Sequence, residues 1–556
     1  MTTEQAAAKQ TAFNLAGVVD AVADRIPDTE AIVWRDRRFT YRQFVERANR
    51  LANVLHDHGL GFHADRETLA GHESGQDHVG LYLLNGNEYL EAMLGAYKSR
   101  SAPFNVNYRY VEEELEYLLT NSRAKALVYH AAFAPTLAKV RDHLPDLTLL
   151  LQVADESGND LLPGAIDYER ALSDVSPEPP PDVAPSPDDL YILYTGGTTG
   201  MPKGVLWRQD DIYVGAMGGR PIGTTDEFAD YGAVADNAEA TGGTIKMMAL
   251  PPFMHGAAQW AVWITFTNGG TIIIQSNVER LDPKDVWTQV QVEGVNSMLV
   301  VGDAFARPLV EELEGGDYDT SSMFVLSSGG AALNPALKER LLAAMPNILV
   351  FDAVGASETG AQGSMPSSAG AVSSGTFTPG PGAVVVSEDL SGVHAPGHDG
   401  TGWLAQEGRV PLGYLGDPEK SARTFPVIDG VRYAVPGDRA KLLESGAIEL
   451  LGRDSVTINS GGEKIFAEEV EQAIAQHPAV YDVVVCGCPS DRWGNEVVAI
   501  VQVHEGMSAS GDDLLNECGK HIARYKFPKR FVYRNKLVRS PAGKADYRWA
   551  REQAQA

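Results

Sequence analysis

Residues 194–204, "YTGGTTGMPKG", decide how the rest of the chain is read. They follow the β-type run "LYIL" (190–193) and hold four glycines, three threonines, a proline and one lysine. A loop of this kind at a strand end offers backbone amides and hydroxyls to phosphate oxygens. It differs from the phosphate loop of nucleotide hydrolases, whose lysine is followed at once by Ser or Thr at a helix start. Here Lys203 follows Pro202, which has no amide hydrogen, so no unbroken cradle of backbone donors can form. The stretch reads either as a plain turn or as a mobile loop. In the second reading Thr195, Thr198, Thr199 and the glycine amides wrap polyphosphate oxygens, and Lys203 acts as a point charge.

The 556 residues exceed what one hydrophobic core usually serves, so two or more units are expected. A formal charge of -28 argues against nucleic acid as a partner, because phosphate-backbone affinity comes from clustered Lys and Arg. The three cysteines, Cys486, Cys488 and Cys518, are too few for a disulfide scaffold and lack zinc-site spacing. The start "MTTEQAAAKQTAFNL" has no export pattern, and no apolar run reaches the roughly 18 residues of an integral membrane segment. These features predict a cytoplasmic protein.

Alternating patterns such as "YVEEELEYLL" (110–119, helical spacing) and "KALVYH" (125–130, β-type) indicate an α/β fold. Between residues 56 and 78 lie five of the thirteen histidines, read as a solvated polar loop with a metal site as the alternative. The six prolines of "SPEPPPDVAPSPDD" (176–189) predict an extended, exposed connector. Further β-type runs at 271–274, 297–301, 324–328 and 348–352 each end near Gly or Asp, the composition found where open α/β sheets place ligands. After about residue 450 the pattern changes to a smaller α+β unit, with helical spacing at 468–478 and 512–525.

The glycine/threonine stretch resembles the YTSGTTGxPKG signature of the adenylate-forming superfamily of acyl-CoA ligases, luciferases and peptide-synthetase adenylation domains. The resemblance recurs in the family's order at "LPPFMHGAAQW" (250–260), "SSGGAAL" (327–333), "FDAVGASETG" (351–360), "GYLGDPEKSARTF" (413–425), "VPGDRA" (435–440), "LGRDSVTINSGGEKIFAEEVE" (451–471) and "RSPAGKADYR" (539–548). It implies a large N-terminal α/β domain, residues 1–453, of two helix-packed sheets and a small β-barrel. A small mobile α+β domain, residues 454–556, is implied to follow.

The activity implied is attack of a carboxylate on the α-phosphate of Mg2+-bound ATP, giving acyl-AMP and pyrophosphate, then displacement of AMP by the thiol of CoA. Carried over residue by residue, Lys544, Glu358, Thr199 and His255 are catalytic, and Glu358 holds the Mg2+. Thr195, Thr198, Lys203, Gly330, Ala331, Ala332, Asp352, Ser357, Asp438 and Arg453 bind the nucleotide. Asp438 is the ribose carboxylate and Asp352 the acceptor for the adenine amino group. His255, Gln259, Trp260, Trp263, Gly302 and Gly329 line the acyl pocket. Gly461, Gly462, Glu463 and Lys464 face CoA after the small domain rotates about Asp454 and Ser455. The sequence departs from the family pattern at Gly196, where Ser is usual, at Val354, where an aromatic is usual, at Ser357, where Thr is usual, and at Ser455.

No acidic residue stands in 255–260 to meet an amino group, so the acid is expected to be hydrophobic. "YTGGTTGMPKGVLWRQDDIY", "VGDAFARPL" and "RSPAGKADYRWA" are similar to actinobacterial fatty-acyl and steroid-side-chain CoA ligases. That resemblance implies a medium or long fatty acid or a steroid side-chain acid, and it leaves a homodimer open. Two alternatives stay open: an acyl-AMP ligase that delivers to a carrier-protein thiol, and a silent ligand-binding homologue.

Overall fold

The computed structural model describes residues 12–197, 200–331, 333–373, 375–453, 456–460, 463–490, 494–539 and 544–555. Thr198, Thr199, Ala332, Asp454, Ser455, Gly461 and Gly462 lie outside the described residues, as do the side chains of Glu463 and Lys464.

Short β-branched runs separated by amphipathic helices have nowhere to bury both faces of a strand except in parallel sheets covered by helices. Two such sheets form. One has eight strands, with Ala102–Asn105, His78–Tyr82, Ala124–His130 and Leu149–Val153 running parallel. The second is built on Thr271–Ile274, Lys246–Ala249, Ser297–Val300, Val325–Gly329 and Leu349–Ala356, again parallel. The β-type runs read from the sequence match these strands to within a few residues.

Helix Asn87–Lys98 is buried along its whole length, and one continuous apolar core joins it to helices Leu15–Arg25, Tyr41–Asp57 and Gly256–Thr267. Its three charged residues are buried with partners: Glu91 accepts from Arg47 at 2.7 and 3.0 Å, Glu88 from Arg37 at 2.5 Å, and Lys98 donates to Asp20 at 2.5 Å. Unpaired, each would cost several kcal/mol.

The second sheet continues through Gly360–Ser367 and Thr376–Pro379 into an antiparallel unit, Thr376 to Arg453, with its own small core around Phe377, Leu404 and Ile448. Beyond it, a third sheet of five strands is centred on Val480–Ser490 and Gly494–Val503. Alternate residues of the first of these face opposite cores. Val483 and Val485 pack under helices Ala467–Ile474 and Gly511–Cys518, and Val484, Cys486 and Cys488 pack under helix Tyr547–Gln555. All three cysteines are buried free thiols.

Several expectations change. The helix expected over 512–525 is Gly511–Cys518 only, because Gly519 closes it and the chain turns through a short 3-10 segment at Arg524–Lys526. The Pro-rich connector is without regular structure but is pinned: Asn53 donates to the carbonyls of Ser176 and Glu178, at 3.0 and 2.7 Å, and Asn49 to that of Pro177 at 2.8 Å. In the histidine-rich stretch, His78 is buried between the Ser122 carbonyl and the Ser74 hydroxyl. Among the described residues no three His, Cys, Asp or Glu side chains converge on a metal position.

Two residues expected in an acyl pocket belong to the core. Trp263 is wholly buried, edge-on to Tyr97 at 5.8 Å and to Phe266 at 5.9 Å. Gln259, 3% exposed, is a polar crosslink that accepts from Tyr191 Oη at 2.7 Å and donates to the Phe253 carbonyl at 2.8 Å and to Tyr89 Oη at 3.1 Å. Both lie on the helix face that meets the buried helix layer. Trp263→Ala is therefore expected to cost about 3–5 kcal/mol of large-domain stability, read as a lowered urea midpoint of unfolding.

Candidate active site

The parallel strands deliver their carboxyl ends to one region, and the chemistry-bearing side chains gather there. On either side of Thr198 and Thr199, which lie outside the described residues, the stretch read as a loop is paired: Leu190–Gly197 runs antiparallel to Gly200–Arg208. Thr195 faces Lys203 across the ladder, and Gly197 faces Gly200. The register slips between Thr195 and Gly197, so Met201 and Pro202 share the place opposite Gly196. Proline is tolerated there because a bulge asks no ladder bond of it. The outer strand of the hairpin pairs in turn with Gly413–Tyr414, Tyr414 lying opposite Val205.

Glu358 occupies the tight turn between Leu349–Ala356 and Gly360–Ser367. That turn is held by the bond from Ala356 N–H to Thr359 Oγ1 at 3.0 Å and by Trp207 Nε1 donating to the Ser357 carbonyl at 2.9 Å. Tyr414 Oη donates to Glu358 Oε1 at 2.8 Å, which aims the carboxylate toward the hairpin. Burial, the Glu358 charge and this bond all push the Tyr414 hydroxyl pKa up, so it remains a proton donor.

The turn after Val325–Gly329 is built by residues that no motif singled out. Ser328 Oγ accepts from Gly302 N–H at 2.9 Å and donates to the Ala331 carbonyl at 2.6 Å, tying two strand ends together. Gly330 has φ +85, a backbone region that favours glycine. Asp352, expected to meet an adenine amino group, is instead 1% exposed and engaged with protein: it accepts from Leu333 N–H at 2.8 Å and is ion-paired with Lys338. Lys338 also donates to the Ser373 carbonyl at 2.7 Å. Burial raises the Asp352 pKa and the Lys338 charge opposes that rise. Asp352 thus shapes the turn from behind.

Asp438 and Arg453 are cross-strand partners, with Arg453 Nε donating to Asp438 Oδ1 at 3.0 Å. Asp438 supports the arginine charge, and its pKa is raised. Lys544 comes from the far end of the chain, yet it lies over the Gly330 turn. A methyl group on Gly330 would sit 3.5 Å from Lys544 Cε and 3.9 Å from Nζ. Desolvation by surrounding protein atoms, then the Arg453 charge, lower the Lys544 pKa, while Asp438 and Glu358 oppose the shift.

His255 precedes helix Gly256–Thr267, and its pKa is lowered to about 4 by burial and then by Lys544 and Arg109, so it is neutral near pH 7. Its Nε2 is buried with no hydrogen-bond partner among the described residues. Gly329 abuts Ala257, where an added methyl would come within 3.4 Å, and Trp260 is half-buried on the same helix. Contacts between the large and small units hold Lys544 in this place: Asn334 Nδ2 donates to the Ala475 carbonyl at 3.3 Å, and the Arg307 guanidinium lies 4.7 Å from the Tyr481 ring centre.

Lys544 interacts with Glu358, Asp438, Arg453 and His255, and Tyr414 links Glu358 to Lys203, so these groups form one cluster suited to holding an anion with a carboxylate-bound cation beside it. A family model described as AMP-binding enzyme matches residues 19–415, and one described as AMP-binding enzyme C-terminal domain matches residues 469–544. The chain belongs to the AMP-binding enzyme family. This AMP-binding enzyme is 58% identical over 98% of both chains to the medium-chain acyl-CoA ligase Mig of Mycobacterium avium. It is 41% identical to the medium/long-chain-fatty-acid--CoA/3-oxocholest-4-en-26-oate--CoA ligase of Mycobacterium marinum, over 98% of this chain and 97% of that one. Among solved structures it is similar to the anthranilate CoA ligase AuaEII in complex with anthranoyl-AMP, with a TM-score of 0.81 and 21% identity over 98% of both chains. That last likeness speaks to the fold alone. It shows the same architecture of a large α/β unit followed by a smaller one.

Ser328, Lys338, Tyr414 and Lys420 are the site residues that the motif reading did not assign. Lys420 and Tyr414 lie inside the quoted stretch 413–425, and the signal there was an aromatic and a cation beside a Gly-rich turn. For the buried pair, Asp352→Asn should cost about 3–5 kcal/mol by leaving the Lys338 ammonium uncompensated. Asp352→Asn/Lys338→Met should recover most of that loss, as read from urea unfolding of the two variants.

Proposed function

We propose that this chain is an AMP-forming acid:CoA ligase that activates a hydrophobic carboxylic acid. The observation that carries the reading is Lys544 lying against Gly330 while interacting with Glu358, Asp438 and Arg453. Joining a carboxylate to a triphosphate brings two anions together, so preorganised positive charge dominates the barrier. Lys544 is assigned to the oxygens exchanged between the acid and the α-phosphate. Asp438 and Arg453 are assigned to the ribose and its phosphate, and Gly330 and Ala331 to the face of the base.

Glu358 is assigned as the Mg2+ ligand. A carboxylate already oriented by Tyr414 and open on one side offers the hard oxygen donor that Mg2+ prefers, with phosphate oxygens completing its shell. When bound, Mg2+ supplies charge neutralisation on the phosphates. Lys203, opposite Thr195 on the hairpin, is assigned to the pyrophosphate that leaves, and Thr198 and Thr199 to the same grip.

Neutral His255 at the foot of its helix is assigned to the acyl side, together with Trp260, Gly302 and Gly329. The relatives' names support a medium- or long-chain fatty acid or a steroid side-chain acid as substrate. For the second step we assign Asp454 and Ser455 as the pivot between units spanning 1–453 and 454–556, and Gly461, Gly462, Glu463 and Lys464 to CoA. No helix among the described residues is long and apolar enough to cross a membrane, and the three free thiols fit a reducing cytoplasm.

The test separates the two half-reactions. Lys544→Ala is expected to slow acid-dependent pyrophosphate release by at least about 100-fold, yet to leave CoA-thiol consumption from a supplied acyl-adenylate largely intact. Equal loss of both would refute the assignment, and pyrophosphate release without CoA consumption in the wild type would favour a carrier-protein acceptor.

A further inference from the structure

Of two lysines packed beside Tyr414, Lys203 has a place in the function proposed above and Lys420 has none. Lys203 projects from the outer strand of the hairpin, and Lys420 from helix Pro418–Thr424, whose first turn is capped by Asp417 accepting from Lys420 N–H at 2.9 Å. Their ammonium groups approach the ring of Tyr414, at 5.9 Å for Lys203 and 5.0 Å for Lys420, and they lie close enough to interact with each other. Among the described residues, neither ammonium has a carboxylate within ion-pair distance. Glu358 and Asp417 offset the mutual repulsion of the two ammonium groups only in part, and a multivalent anion bridging them would relieve it.

The support under this pair is rigid. Tyr414 is fixed by strand pairing to Val205, by its own N–H donating to Ser421 Oγ at 2.8 Å, and by its hydroxyl on Glu358. Ser421 Oγ donates in turn to the Asp417 carbonyl at 2.6 Å, which locks the helix carrying Lys420 to the strand carrying Tyr414. The segments that carry Lys420 and Tyr414 are therefore fixed to each other. Among the charges that act on Lys420, Lys203 lowers its pKa and Glu358 and Asp417 raise it.

We infer that Lys420 is a second polyphosphate-binding cation, which together with Lys203 clamps the β- and γ-phosphates of ATP and the pyrophosphate they become, over the Tyr414 ring. The inference rests on the ligase reading for its place in a reaction, and it concerns a binding step that needs no acid. Burial and then Lys203 lower the Lys420 pKa to about 8. The empty clamp thus loses charge as pH rises through that value, and an anion restores it by favouring the protonated form.

Calorimetric titration of the full chain with inorganic pyrophosphate, ATP and AMP, at fixed Mg2+, tests the clamp. Lys420→Met should weaken pyrophosphate and ATP binding by about tenfold while AMP binding stays unchanged, and Lys420→Arg should bind all three nearly as the wild type does. From pH 7 to 9 the wild type should lose pyrophosphate affinity more steeply than Lys420→Arg, whose charge does not titrate there. Unchanged pyrophosphate affinity in Lys420→Met, an equal loss of AMP affinity, or matching pH slopes would each overturn the inference. No acid or CoA enters these titrations, so failure of the ligase reading would show separately, as absence of CoA consumption across an acid panel.

Discussion

A chain with a formal charge of -28 that handles a triphosphate must concentrate positive charge in one place against its own field. It does so with Lys203, Lys420, Arg453 and Lys544, which come from four different segments. Arg453 is matched by Asp438, and Lys544 is offset by Asp438 and Glu358. Lys203 and Lys420 meet beside Tyr414, with Glu358 and Asp417 opposing their charge.

Holding such a constellation requires stiff backing. Glu358 sits on a tight β-turn fastened by Thr359 and Trp207, and Ser328 ties the Gly302 and Gly330 segments together. The Asp352–Lys338 pair braces the same turn from behind, where both side chains are nearly inaccessible. Deeper still, the buried helix Asn87–Lys98 carries charges paired with Arg37 on a strand of the second sheet and with Arg47 and Asp20 on neighbouring helices. By contrast, Lys544 is brought in by a unit whose described contacts to the large one include a single long hydrogen bond from Asn334 and an Arg307–Tyr481 stacking.

Local pattern made much of this legible. Strands such as Thr271–Ile274 and Ser297–Val300 were readable because a short β-branched run closed by Gly or a polar residue has few other solutions. The order of the motifs carried the family, and with it a short set of charged residues that indeed lie near one another. Where Gln259, Trp263 and Asp352 pack was not legible, because a motif places a residue near a site without stating which way its side chain turns. The first two sit on a helix face directed into the apolar layer, and the third points back toward Lys338.

The amino-acid order alone was enough for the α/β class, the two-unit organisation and the residue types gathered for anion chemistry, since each rests on periodicity or on a contiguous motif. Folding added the hairpin in place of a free loop, because pairing with Gly413–Tyr414 depends on a segment far along the chain. It also added the juxtaposition of Lys203 and Lys420 over Tyr414. That contact is a property of three elements meeting in space, and no window of sequence contains all three.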